Sequence, residues 1–160
     1  MSSSGVCVGA PLGLQLPRIE VRAYNRSDTA IAVGEVVQFD LFSAAAETSD
    51  TSYTAGSADS GLSNVIVPDN DDVVGNAIYC VALEAVANDA IGNFCVQGVV
   101  DVKAGEAIDL GDPLFTKNNK TLIDTGGANK GVWGFAMAAI ASGANGSVLF
   151  NGYGFGNQLA

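Results

Sequence analysis

Leu122-Ile123-Asp124-Thr125-Gly126-Gly127 is the sharpest chemical motif in the chain. Two apolar residues before Asp-Thr-Gly resemble an aspartic-protease loop, whose chemistry needs two carboxylates in one site, each on a rigid glycine turn, sharing one proton. A homodimer could supply the second carboxylate. In retroviral-type enzymes, however, most of the domain follows the motif, flap included, whereas here little chain remains after it. Ala128-Asn129-Lys130 come next, and a strand-ending turn accounts for the motif. Asp69-Asn70-Asp71-Asp72 offers oxygen ligands for calcium, but the glycine and glutamate that an EF-hand loop requires are replaced by Val74 and Cys80; it reads as a solvated acidic loop. Asn25-Arg26-Ser27, Asn119-Lys120-Thr121 and Asn145-Gly146-Ser147 fit the N-glycosylation triplet, which is common by chance. Among seventeen Asp and Glu, spacing singles out no pair for glycoside hydrolysis. The absence of histidine removes Ser-His-Asp and Cys-His catalysis, histidine zinc sites and pH switching together. No catalytic, cofactor-binding or metal-binding residue is assigned, and an enzyme is not expected.

The chain that must carry these motifs has 160 residues, 48% apolar and 15% charged, enough for a buried core. Seven Lys and Arg against seventeen Asp and Glu give a net charge of −10, the wrong sign for neutralising phosphates or an anionic membrane surface. Nucleic acid is not an expected partner. Cys7, Cys80 and Cys95 are an odd number, read as unpaired small apolar residues and not as a disulfide framework. Met1–Pro17 lacks the charged and continuous apolar regions of a secretory signal, so no export is expected. Gly131–Phe150 is uncharged over about the length of a membrane span, but Ser142-Gly143-Ala144-Asn145-Gly146 is a turn sequence, and no membrane association is expected.

An internal repeat organises the chain. Cys80–Gly98 lies over Gly134–Gly152 without a gap at an offset of 54 (136 − 82), matching Ala82, Ala85, Ala87, Ala90, Gly92 and Gly98 to identical residues. Tyr79 then meets Trp133, so the similarity includes large core-filling aromatics. Ala30–Glu35 lies over Ala107–Asp112 at an offset of 77 (107 − 30), which leaves 23 extra residues (77 − 54) in the first copy, within Ser43–Asp72.

The local pattern is strand. Ile19, Val21 and Ala23 alternate with Arg18, Glu20, Arg22 and Tyr24, and Val37, Phe39 and Leu41 keep the same period. Each repeat block is two apolar arms around a polar, Gly-containing centre, as in hairpins near Asp89-Ala90 and Gly143-Ala144. Such hairpins put Cys80 opposite about residue 99 and Cys95 opposite about residue 84. The predicted fold is all-β: a small barrel or sandwich built from two tandem repeats, with an extended N-terminal arm. Residues 1–17 form the arm, 18–155 a single β domain (repeat one about 18–102, repeat two about 103–155), and 156–160 a tail.

Gly105–Phe115, the glycines Gly126 and Gly127, and Gly131–Phe150 together resemble the capsid decoration, or cement, proteins of tailed bacteriophages; Tyr79–Val102 resembles the same unit. The resemblance covers roughly Gly75–Gly152. It implies a β-rich, usually trimeric protein on the outer capsid surface of the virion, made in the host cytoplasm and clamping neighbouring major capsid subunits. The long Ser43–Asp72 connection and the N-terminal stretch depart from the pattern. Partner-binding candidates are Val6, Val8, Leu12, Leu14 and Leu16, whose apolar surface no strand or helix period would bury in their own domain, with Tyr153 and Phe155 in the C-terminal stretch. The alternative is a carbohydrate-binding or adhesive β-module on a virion or cell surface, for which Tyr53, Tyr153 and Phe155 are the aromatic candidates.

Overall fold

Apolar runs punctuated by Gly turns become strands, and no helix occurs among the described residues. The structure, a computed structural model, describes residues 17–39, 63–66, 78–117, 120–123 and 131–155. Val6, Cys7, Val8, Leu12, Leu14 and Leu16 of the expected arm lie outside the described residues. So do Tyr53, the Asp69–Asp72 loop, Asp124–Gly127 and the 156–160 tail. The strands are β1 (Ile19–Asn25), β2 (Val36–Phe39), β3 (Ser63–Ile66), β4 (Tyr79–Ala82), β5 (Ile91–Lys103), β6 (Pro113–Lys117), β7 (Thr121–Ile123), β8 (Gly134–Ala136) and β9 (Asn145–Asn151).

They form one sheet in the order β1-β3-β2-β4-β5-β9-β8-β6-β7, and β1 also pairs with β5. That pairing closes β1, β3, β2, β4 and the first half of β5 into a ring, in which β1 and β3 are parallel and all other neighbours antiparallel. The second half of β5 continues through β9, β8, β6 and β7. An Ala104–Leu122 bridge, with the Gly105 N–H donating to the Leu122 carbonyl at 2.8 Å, brings β7 back to the end of β5 and so makes the second half of β5, β9, β8, β6 and β7 a second, nearly closed ring. The sheet is thus nearly closed into a barrel, which leaves little exposed strand edge among the described residues.

Strand alternation fills two large cores, and Phe115, Ile123 and Val132 form a third, smaller buried cluster. Ala23, Val37, Phe39, Cys80, Ala82, Phe94 and Val96 fill the first ring; Val100, Val102, Leu114, Leu122, Ala136 and Val148 belong to the second cluster. Tyr79 and Trp133 meet edge-to-face within the second cluster, ring centroids 4.4 Å apart.

The same pairings occur twice. Ala23 faces Gly92 as Val102 faces Gly146, Val37 faces Cys80 as Leu114 faces Gly134, Phe39 faces Val65 as Thr116 faces Leu122, and Ala82 faces Phe94 as Ala136 faces Val148. Ile31 and Val86 exchange two backbone hydrogen bonds, and so do Ile108 and Ile140. The turns agree too. Gly34 (φ +81°) donates to Ala82 and Gly111 (φ +88°) to Ala136, each in the left-handed region that a side chain would strain. The Glu35 and Asp112 carboxylates each accept the N–H three residues back, from Ala32 and Asp109, at 3.0 Å.

The hairpin register differs from the sequence reading. Cys95 lies opposite Val81, not near residue 84, and Cys80 pairs with Val37 instead of reaching toward residue 99. The first connection centres on Asn88 and the second on Ser142, as Ala82–Phe94 and Ala136–Val148 fix them. A tight symmetric turn would centre them near Asp89-Ala90 and Gly143-Ala144. Instead Val86 and Ile140 leave their hairpins to bridge Ile31 and Ile108, which lengthens one side of each connection.

Candidate functional site

The polar groups of the described residues serve mainly structure. Glu35 sits where the two halves meet, its carboxylate 3.1 Å from Lys103 Nζ and 3.8 Å from Lys120 Nζ. Lys120 also donates to Thr29 Oγ1 at 2.6 Å and to the Ala30 carbonyl at 3.1 Å. Burial pulls the Lys120 pKa down, and Glu35 opposes that shift. Cys80 and Cys95 are free and buried. Burial pushes the Cys80 thiol well up and the Cys95 thiol to about 11, so neither is an activated nucleophile. Among the described residues no three His, Cys, Asp or Glu gather as a metal site.

The C-terminal aromatics are held firmly. Asn151 Nδ2 donates to the Gly154 carbonyl at 2.8 Å, its Oδ1 accepts the Tyr153 N–H at 3.2 Å, and the Phe155 N–H donates to the Val132 carbonyl at 2.7 Å. Gly152 permits this turn: its N–H reaches the Val96 carbonyl, its carbonyl accepts the Tyr79 N–H, and a methyl group there would collide with the Tyr79 carbonyl. Phe155 consequently lies edge-on to Phe135, ring centroids 5.2 Å apart, while Tyr153 stays 56% exposed.

Phe135 leads into a row the sequence reading did not single out. Pro113 pairs with Phe135, Phe135 with Leu149, and Leu149 with Val99, so four adjacent strands present apolar side chains in one register. All four alternate with buried inward residues and remain partly or largely exposed. Met137 and Leu110 add exposed apolar surface in the neighbouring loops. In the first ring the corresponding row, Val36, Val81 and Cys95 in the same register, is fully buried against the second ring's core. The sequence signal was available in the offset, since Phe135 falls on Val81 and Leu149 on Cys95. Which copy would be covered was not. An apolar row with Asp101, Ser147 and Asn151 at neighbouring strand positions is suited to docking a protein surface.

Of the candidates read from sequence, Phe155 joins this face through Phe135, while Tyr153 stays exposed in the turn before it. The comparisons agree with a structural role. The family model described as phage cement protein matches residues 63–151, from β3 to β9. No curated protein matches in sequence. The crystal structure of the N base of head fiber gp8.5 from bacteriophage phi29 is similar in fold, with a TM-score of 0.55 and 14% identity over 84% of this chain and 94% of that one.

Proposed function

The chain belongs to the phage cement protein family and is a phage virion structural protein; on that premise we propose that it binds the outer surface of the assembled capsid and clamps neighbouring major capsid subunits, as a homotrimer. The observation that carries this reading is the family match across β3–β9, which takes in every strand of the second half. The mechanism is linkage. A protein that binds only the assembled shell lowers that state's free energy at every occupied site. Three copies joined in one particle add avidity, so each contact can be weak. This needs no chemistry, in keeping with a family and a fold that belong to structural proteins and not enzymes.

Two finer parts belong to the same proposal. The body is two tandem β units, which the recurring strand registers and turn bonds support. On those registers, 20 of the 23 extra residues lie between β2 and β3 and three between β3 and β4, since Phe39–Ser63 answers to Thr116–Lys120 and Ile66–Tyr79 to Ile123–Trp133. Residues 1–17 are the partner-binding arm, through Val6, Val8, Leu12, Leu14 and Leu16.

Co-sedimentation with empty expanded shells tests the reading. The full chain pellets with shells and raises their melting temperature, and a chain lacking residues 2–16 does so far less while its own melting is unchanged. A full chain that stays in the supernatant at every concentration would overturn capsid binding.

A further inference from the structure

The two halves offer a comparison that assigns a use to the bare row. In the first ring, Val36, Val81 and Cys95 point away from that ring's own core, and a second β unit covers them completely. The covering is an interface in every respect except that one chain supplies both sides. Its apolar centre is ringed by polar links: Lys103 and Lys120 to Glu35, Asn145 Nδ2 to the Val33 carbonyl at 3.2 Å, and the Val36 N–H to the Lys120 carbonyl at 2.8 Å. In the second ring, Pro113, Phe135 and Leu149 hold the same registers on the same side of their strands, extended by Val99 and by the Phe155 ring. That row stays partly open where its counterpart is fully buried: Val99, Pro113 and Leu149 are half-buried, and Phe135 is 36% and Phe155 44% exposed.

We propose that the row Val99–Leu149–Phe135–Pro113, with Phe155, is a docking surface for a second copy of this chain. The occupant follows from the equivalence: within the chain, the partner of this face is another β unit of the same plan. A second copy is the source of a further such unit. Leu110 and Met137, 71% and 50% exposed, flank the row as part of the surface that closes. Aromatic and large aliphatic side chains in register are the kind of centre on which protein interfaces depend most.

This inference deepens the oligomeric part of the proposed function, and its test uses purified protein without shells, so its failure and the failure of capsid binding are separately visible. Sedimentation velocity of the full chain over a range of concentrations should give species larger than the 16.2 kDa single chain. Phe135→Glu and, separately, Leu149→Lys should weaken self-association by at least about thirty-fold, with an unchanged circular dichroism spectrum. Val33→Glu, at the exposed turn of the first ring, should leave it intact. Phe135→Ser serves if the charged variant does not fold. A wild-type chain that is monomeric at every concentration overturns the inference, as do row variants that keep the wild-type mass. If those variants keep their mass but lose shell binding, the face belongs to the capsid. If the wild type is monomeric and removal of residues 2–16 uncovers the row to a hydrophobic dye, its occupant is the chain's own N-terminal segment.

Discussion

The first ring hangs its loop on Asn25, the second closes the same corner on Ala104. Asn25 and Ala104 make equivalent backbone bonds, to Asp89 and Ala90 in one case and to Gly143 and Ala144 in the other. Yet five residues separate Asn25 from Ile31, and only three separate Ala104 from Ile108. The longer loop carries carbonyls that strand pairing cannot reach. The buried Asn25 amide ties that loop to the β4–β5 connection: its Nδ2 donates to the carbonyls of Thr29 in the loop and of Val86 and Ala87 across from it, while its Oδ1 accepts from Ser27 N and Oγ. Turn residues that match between the halves, Gly34 with Gly111 and Glu35 with Asp112, hold the shared backbone, whereas Asn25 and Ala104 differ with the length of the loop each must close.

Breaking the comparison at Asn25 should have the largest effect. Asn25→Ala gives the first ring the second ring's side chain without its shorter loop, leaving buried carbonyls unpaired, and should cost about 3 kcal/mol in urea unfolding. Shortening the loop by removing Ser27 and Asp28 in the same variant should recover part of the loss. A cost below about 0.5 kcal/mol would mean that the loop does not depend on Asn25.

The two turn acids sharpen the comparison. Glu35 caps its turn and also faces two lysines at the junction of the halves, whereas Asp112 occupies the same turn position with no lysine partner among the described residues. Glu35→Gln should therefore cost about 1–2 kcal/mol, and Asp112→Asn under about 0.5 kcal/mol. The gap should narrow in high salt, because part of the Glu35 effect is ionic. Equal costs in matched urea titrations would show that only the turn bond matters.

The smallest effect is a slope in alkali. Cys95, where the second ring has Leu149, holds its proton in the folded state up to about 11 against an ordinary 9.0, and Cys80 is shifted in the same direction. A raised folded pKa contributes stability that is complete below pH 9 and is lost as pH rises through 11. Lys120 runs the other way: its folded pKa lies below 10.5, so the cost of burying its charge is relieved as pH approaches 10.5. Urea midpoints between pH 8 and 11 should fall for the wild type and fall less for Cys95→Ala. Parallel curves would remove the thiol from the account.

Much of the strand content was legible because a two-residue period needs only local information: Val21 and Ala23 turn inward in β1 and Val37 and Phe39 in β2, as their alternation requires. Turn chemistry was legible for a similar reason. Gly34 and Gly111 mark positive φ wherever they stand, and an acid next to each caps the turn. Register was not legible to the residue, because the pull of Ile31 on Val86 comes from a loop residue fifty-five positions earlier (86 − 31). Nor was the apolar row. Phe135 and Val81 read alike in a sequence, each an apolar residue in a short strand, and alternation places each on one face without saying what lies beyond it. Burial is a property of the neighbour as much as of the residue. Only the tertiary structure decided that Val81 is covered by a second ring while Phe135 looks outward beside Phe155.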